Sequence, residues 1–224
     1  LREGRRVVVL SRDPLQARAA LGAGVWVVDR LDDIPSETRI DAVVNLAGAG
    51  ILGGPWTAAR RQLLLDSRLH IAAQLHTLIA RLQHRPEVLV AASAVGYYGV
   101  PAHTAPLDES APAEPGRFQS ELCQQIEAAA QRNAALGVRV VCLRPGIILG
   151  AGDGAFPKLA FAARMGLGTR LGHGQQPMPW IPVDDAVGRV CHAMAEPALH
   201  GPLNAVAPQA VTQAQFARRL AAAV

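Results

Sequence analysis

Short apolar runs alternate along this chain with longer stretches whose apolar residues recur at helical spacing. Arg6–Leu10, Val25–Val28, Asp41–Leu46, Val88–Ala92 and Val138–Leu143 are valine-rich and four to six residues long. Runs of that length and composition read as strands. Between them, Pro14–Leu21 reads as a helix that starts after Asp13 and closes at Gly22. Thr57–Leu82 carries Leu64, Leu65, Leu69, Ala72, Leu75, Leu78, Ile79 and Leu82 on one helical face, with Thr57 as its N-cap. Phe118–Leu136 is a third helix, ended by Gly137. Strands alternating with helices predict an α/β fold: a parallel sheet covered on both faces.

Beyond Gly150 the pattern changes. Glycine, proline and histidine crowd the stretch from Gly166 to Pro182, no strand stands out, and only Val183–Met194 and Thr212–Val224 read as helices. The expected division is a nucleotide-binding domain over 1–150 and a smaller, truncated substrate-side region over 151–224.

Composition narrows the function. The 224 residues are 50% hydrophobic and 18% charged, and a chain of this length buries roughly 70% of its unfolded surface in one core. No apolar run reaches the roughly 18 residues that a membrane span needs, and no basic-then-apolar leader opens the sequence. The net charge is +4, but the arginines are scattered and no basic stripe interleaves with aromatic rings, so neither nucleic acid nor membrane is an expected partner. Cys123, Cys142 and Cys191 form no Cys-x-x-Cys pair, which suits reduced thiols in the cytoplasm. The histidines show no metal-ligand spacing, and no metal is expected.

The chemistry gathers at strand ends. Val88–Ala92 stops at Ser93, and Tyr97 and Tyr98, the only two tyrosines, follow within five residues. Asp41–Leu46 runs into Asn45-Leu46-Ala47-Gly48, and Val138–Leu143 into Arg144-Pro145-Gly146-Ile147. In open α/β sheets, ligands bind at the carboxyl ends of the strands.

These strand ends, with Pro179-Trp180-Ile181-Pro182-Val183-Asp184-Asp185, resemble the extended short-chain dehydrogenase/reductases. Val43–Gly48, Ser67-Arg68, Ser93–Gly99, Leu122-Cys123 and Gly172-x-Gly174-Gln175 extend the resemblance to their atypical "epimerase family" subgroup over nearly the whole chain. It implies a Rossmann-type doubly wound parallel sheet, an NADP(H) site and a small-molecule substrate, with nucleotide sugars suggested by ancestry. It names no substrate and no oligomeric state.

Such a fold opens with a strand and a glycine-rich turn that cradles the cofactor pyrophosphate. Here the first βα unit is absent, and Leu1–Gly4 reads as the end of a helix. The missing strand would lie between Arg6–Leu10 and Asp41–Leu46, whose unpaired groups would cost about 1–3 kcal/mol each against a total stability of about 5–15 kcal/mol. About 25–30 upstream residues are therefore expected in the natural protein. Gly48-Ala-Gly50-Ile-Leu-Gly53 fits Gly-x-Gly-x-x-Gly literally, but Gly54-Pro55 follow it and break rather than open a helix.

The resemblance also distributes roles. Ser11 and Arg12, ending the first strand, suit a 2′-phosphate, since an arginine stands where NAD-binding members carry an acid. Asn45, Leu46, Ala47 and Gly48 would lie under the cofactor ribose, and Pro145, Gly146 and Ile147 beside the nicotinamide. Lys158 and Trp180 are substrate-side candidates, against plain solvation for Lys158 and packing for Trp180. Asp184 and Asp185 are expected to cap and orient the following helix, with contact to substrate as the alternative. Ser93 matches the serine of the parent superfamily, whose Tyr-x3-Lys pair is missing. The only lysine is Lys158, the residue four before it is Gly154, and Cys123 falls near the lysine's place. Pro182 also replaces a histidine expected in the subgroup. Two functions remain open. One is an epimerase or reductase using Ser93 with Tyr97 or Tyr98; the other is an NADP(H)-binding sensor or scaffold without standard turnover. A hydrolase lacks its Gly-x-Ser-x-Gly elbow.

Overall fold

The computed structural model describes residues 4–51, 54–100, 105–152, 155–167 and 172–223. Most of the expected helix end at Leu1–Gly4, and Gly53 and Gly154, lie outside them.

Strand β1 (Val7–Leu10) leads into helix α1 (Pro14–Leu21), which Asp13 caps by accepting the Gln16 N–H at 2.9 Å. Strands β2 (Val25–Val28) and β3 (Ala42–Asn45) follow, then helix α2 (Ala58–Arg81), capped by Thr57 as its composition predicts. Strand β4 (Val88–Ala92) ends in a 3-10 helix, Val95–Tyr98, and helix α3 is Phe118–Gln131. The expected helix to Leu136 tightens into a 3-10 turn over Arg132–Leu136 and stops at Gly137, whose φ of 81° is left-handed.

Strand β5 (Arg139–Pro145) runs to β6 (Ile147–Leu149), helix α4 (Ala155–Ala162), β7 (Trp180–Pro182), α5 (Val183–Ala195), β8 (Gly201–Ala205) and α6 (Gln213–Ala223). Three of the strands here, β6 to β8, carry no legible pattern. Two are three residues long, and β8 contains Gly201 and Pro202, which weaken strand signals.

All strand pairs in the sheets are parallel, in the orders β1-β2, β3-β4-β5-β8 and β6-β7. Among the described residues no ladder joins β1 to β3, although Val8, Leu10 and Val43 pack in one core. Strand alternation divides that core between two faces. Leu89 and Ala91 meet Leu75, Leu78 and Ile79 of α2, whereas Val88 and Val90 meet Ala186 and Ala193 of α5. The result is a Rossmann-like α/β fold with helices flanking parallel sheets. Residues on both sides of position 150 build it, since β8 extends the main sheet beside β5. Asn45 pairs with Ala91, Ala92 with Leu143 and Pro145 with Ala205, so the strands of this sheet end at one edge.

Candidate functional site

Ser93 begins where β4 ends, and its N–H donates to Leu143 O at 2.7 Å, holding it against β5. Its hydroxyl donates to Glu127 Oε1 of α3 at 2.7 Å. Arg144, from the end of β5, grips the same carboxylate with two bonds, Nε to Oε1 at 2.8 Å and Nη2 to Oε2 at 2.7 Å. The Arg144 side chain is 2% exposed and that of Glu127 14%. Burial works against the Arg144 charge, but hydrogen bonds to Glu127 and Tyr98 outweigh it and raise its pKa. The network extends further. Arg144 Nη1 donates to the Tyr98 hydroxyl at 2.9 Å, which donates to Asn204 Oδ1 of β8 at 2.8 Å. Neither Glu127 nor Arg144 stood out as a site residue, because their meeting depends on the packing of α3 against β5.

The two tyrosines are placed differently. Tyr98 is buried within this network. Tyr97 is half-buried with its ring against the Arg144 guanidinium, whose Cζ lies 3.5 Å from the ring centroid. Its backbone carbonyl accepts from the Ser120 hydroxyl at 2.6 Å, and among the described residues its own hydroxyl takes part in no hydrogen bond. Ser93, Tyr97 and Tyr98 are thus brought together around one ion pair, with a single hydroxyl uncommitted.

Cys123 lies on α3 against Ser93 and the Ala94 backbone, and burial pushes its thiol up. On β5, Cys142 is pushed from the ordinary 9.0 to about 12, mainly by burial and further by the Glu127 charge. Above pH 9 the unfolded chain releases this thiol proton while the folded one retains it. Stability should therefore be full below that pH and fall as the pH rises toward about 12. Urea unfolding across this range should show the decline, flattened in Cys142→Ala; an equal slope in both proteins would contradict the burial.

The Asn45–Gly48 loop is pinned from α2. Asn45 Oδ1 accepts from the Ala47 N–H at 3.2 Å, and the Ser67 hydroxyl accepts from the Ala49 N–H at 3.0 Å. Arg68 donates to Ala49 O at 3.0 Å and to Leu64 O at 2.9 Å, and Arg60 donates to Gly50 O. Gly48 permits this, because a Cβ there would fall 2.7 Å from Arg68 Cζ. Ser67-Arg68 was visible as a family phrase, but not as part of the site. The helix after this loop starts at Ala58, behind Thr57 and Pro55, so Gly48 and Gly50 open no helix.

Pro145, Gly146 and Ile147 pass from β5 to β6 beside Trp180, which pairs with Ile147 in the β6–β7 ladder. Gly146 allows the approach; a Cβ would sit 2.7 Å from the Pro179 carbonyl. The Trp180 indole N–H is buried without a partner among the described residues. Lys158 is exposed on α4. Ser11 lies at the end of β1, its N–H bonded to Val28 O at 2.9 Å, and Arg12 beside it is exposed. Asp184 and Asp185 occupy the first turn of α5, where carboxylates suit the helix dipole.

A cavity of about 530 Å³ lined by Arg39, Asp41, His84 and Glu87 opens instead at the amino ends of β3 and β4, away from these residues. Among the described residues no group of three His, Cys, Asp or Glu side chains could hold a metal ion, and no helix is long and apolar enough to cross a membrane.

Comparison with known proteins places this arrangement. The model of the NAD dependent epimerase/dehydratase family matches residues 1–205. The human epimerase family protein SDR39U1 is 36% identical over 223 residues, covering 99% of this chain and 73% of that protein. YfhF of Bacillus subtilis, also an epimerase family protein, is 31% identical over 98% of this chain and 72% of its own length. The crystal structure of human SDR39U1 (isoform 2) with NADPH superposes with a TM-score of 0.85 at 34% identity, over 99% of this chain and 72% of that one. A nucleoside-diphosphate sugar epimerase from Corynebacterium glutamicum gives 0.72 at 25% identity, over 98% of this chain and 50% of that one. Parallel strand ends, a serine and tyrosines at one edge and these matches agree: the chain belongs to the NAD-dependent epimerase/dehydratase family.

Proposed function

We propose that this chain binds NADP(H) across its strand ends and works as an epimerase or reductase on a small carbonyl or hydroxyl substrate, a nucleotide sugar being the first candidate. The carrying observation is the Tyr97 hydroxyl, uncommitted among the described residues. It stands beside a buried Glu127–Arg144 pair that already holds the Ser93 and Tyr98 hydroxyls. The relative crystallised with NADPH supports the cofactor, and the nucleoside-diphosphate sugar epimerase supports the substrate class.

The residues present fit such a cofactor. Arg12 is exposed at the end of β1, where a 2′-phosphate would be met. The Asn45–Gly48 loop offers backbone and small side chains, and Gly146 keeps the β5–β6 corner close. The unpaired Trp180 N–H adds a donor on the substrate side, and Lys158 an outer positive charge. When bound, the nicotinamide exchanges a hydride with a substrate carbon. The protein's part is the proton. Tyr97 gives it to the substrate oxygen in one direction and takes it back in the other. Ser93, its own proton directed to Glu127, presents lone pairs that accept a hydrogen bond from substrate or cofactor. Three free cysteines, two of them buried, suit a cytoplasmic location.

The test is a screen of carbonyl compounds and nucleotide sugars with the full-length protein, following NADPH consumption and epimer formation. Turnover supports the enzyme. NADPH binding without turnover of any substrate would instead support a sensor, in which Ser93 and Tyr98 only tie the cleft together.

A further inference from the structure

Arg68 is a half-buried cation without a counter-ion among the described residues. It leaves α2 and lies against Gly48, with Cζ 2.7 Å from where a Gly48 Cβ would stand. Its two described hydrogen bonds go to backbone carbonyls, Leu64 O and Ala49 O. That leaves three of its five N–H donors unassigned and its charge uncompensated. The described ion pairs engage Arg30, Arg39, Arg117 and Arg144, and no carboxylate bonds to Arg68. Arg60, bound to the same loop through Gly50 O, adds a second positive charge rather than cancelling the first. Burial lowers the Arg68 pKa, and the cation's field reaches Cys123, which in turn touches Ser93. Holding a partly desolvated charge without a counter-ion costs folding free energy.

We propose that Arg68, held against the Gly48–Ala49 backbone, is the fixed cation of the cofactor cleft, and that it makes the cleft prefer NADPH over NADP⁺. The inference rests on the NADP(H) reading above and goes further, by assigning a residue and a redox preference. The two cofactor forms share every phosphate and differ by one positive charge on the nicotinamide ring. A cation beside the Asn45–Gly48 loop attracts the phosphates of both forms alike and therefore disfavours the oxidised form relative to the reduced one by its repulsion of the extra ring charge. A unit charge acting over roughly 10 Å, in the screened interior near a protein surface, changes an affinity ratio about tenfold. Glu127 and Arg144 neutralise each other and leave this field in place.

The experiment is calorimetric titration of the full-length protein with NADPH and, separately, with NADP⁺, for the wild type, Arg68→Gln and Arg68→Lys. The wild type should bind NADPH about tenfold more tightly than NADP⁺. Arg68→Gln should bring the ratio toward one, and Arg68→Lys, which keeps the charge, should preserve it. If Arg68 only braces the loop, both affinities in Arg68→Gln change by one factor and the ratio stands, which overturns the proposal. Equal wild-type affinities overturn it without any variant. Failure to bind either form overturns the cofactor reading together with it.

Discussion

Replacing Glu127 with alanine should destabilise the fold by about 3–5 kcal/mol, a large share of the 5–15 kcal/mol typical of a domain. The carboxylate receives the Ser93 hydroxyl and both bonds of a 2%-exposed arginine. Without it, Arg144 retains, among the described residues, the Tyr98 hydroxyl at 2.9 Å, the Glu109 carbonyl at 3.4 Å and the faces of the Tyr97 and Tyr98 rings. None of these carries a charge, and the guanidinium is only 2% exposed to water. Four elements are joined at this point: the end of β4 through Ser93, α3 through Glu127, β5 through Arg144 and, by way of Tyr98, β8 through Asn204. The loss should register as a lower urea midpoint at unchanged slope. The double variant Glu127→Leu with Arg144→Met should recover much of it, because the penalty comes from an orphaned charge and not from a missing attraction. A loss below about 1 kcal/mol, the scale of an exposed pair, would mean that water reaches Arg144.

Tyr97→Phe should cut turnover by about 10²–10⁴-fold, the range for removing a positioned acid–base group. NADPH affinity and the melting midpoint should stay near wild type. The phenol makes no described hydrogen bond, and phenylalanine keeps the ring that lies against Arg144. Tyr98→Phe provides the contrast. It removes a hydroxyl that joins Arg144 to Asn204 and should cost about 1–3 kcal/mol through the polar groups it leaves unpaired. If Tyr98→Phe abolished turnover at unchanged stability while Tyr97→Phe did nothing, the roles of the two tyrosines would be reversed.

Which tyrosine is free was not legible in the sequence, and the reason is geometric. Neighbours in the 3-10 helix Val95–Tyr98 diverge by about 120°, so one ring reaches the buried network and the next lies over it. The valine-rich strands and the helices capped by Asp13 and Thr57 were legible because their signals are local. Strands β6, β7 and β8 were not. They are short or interrupted by glycine and proline, and they exist because Ile147 meets Trp180 and Pro145 meets Ala205. The same holds for the site. Ser93 and the Asn45–Gly48 loop could be read from strand ends. Glu127, Arg144 and Arg68 acquire their roles from neighbours 17 to 34 positions away, such as Arg144 for Glu127, Ser93 for Glu127 and Ala49 for Arg68.

The central claim is that these strand ends form an NADP(H) cleft. Titrating the full-length protein with NADPH and with NADH, and following nicotinamide fluorescence, tests it most directly. Saturable binding of NADPH, tighter than that of NADH because Arg12 meets the 2′-phosphate, is the expected result. No saturable binding of either nucleotide would contradict the claim.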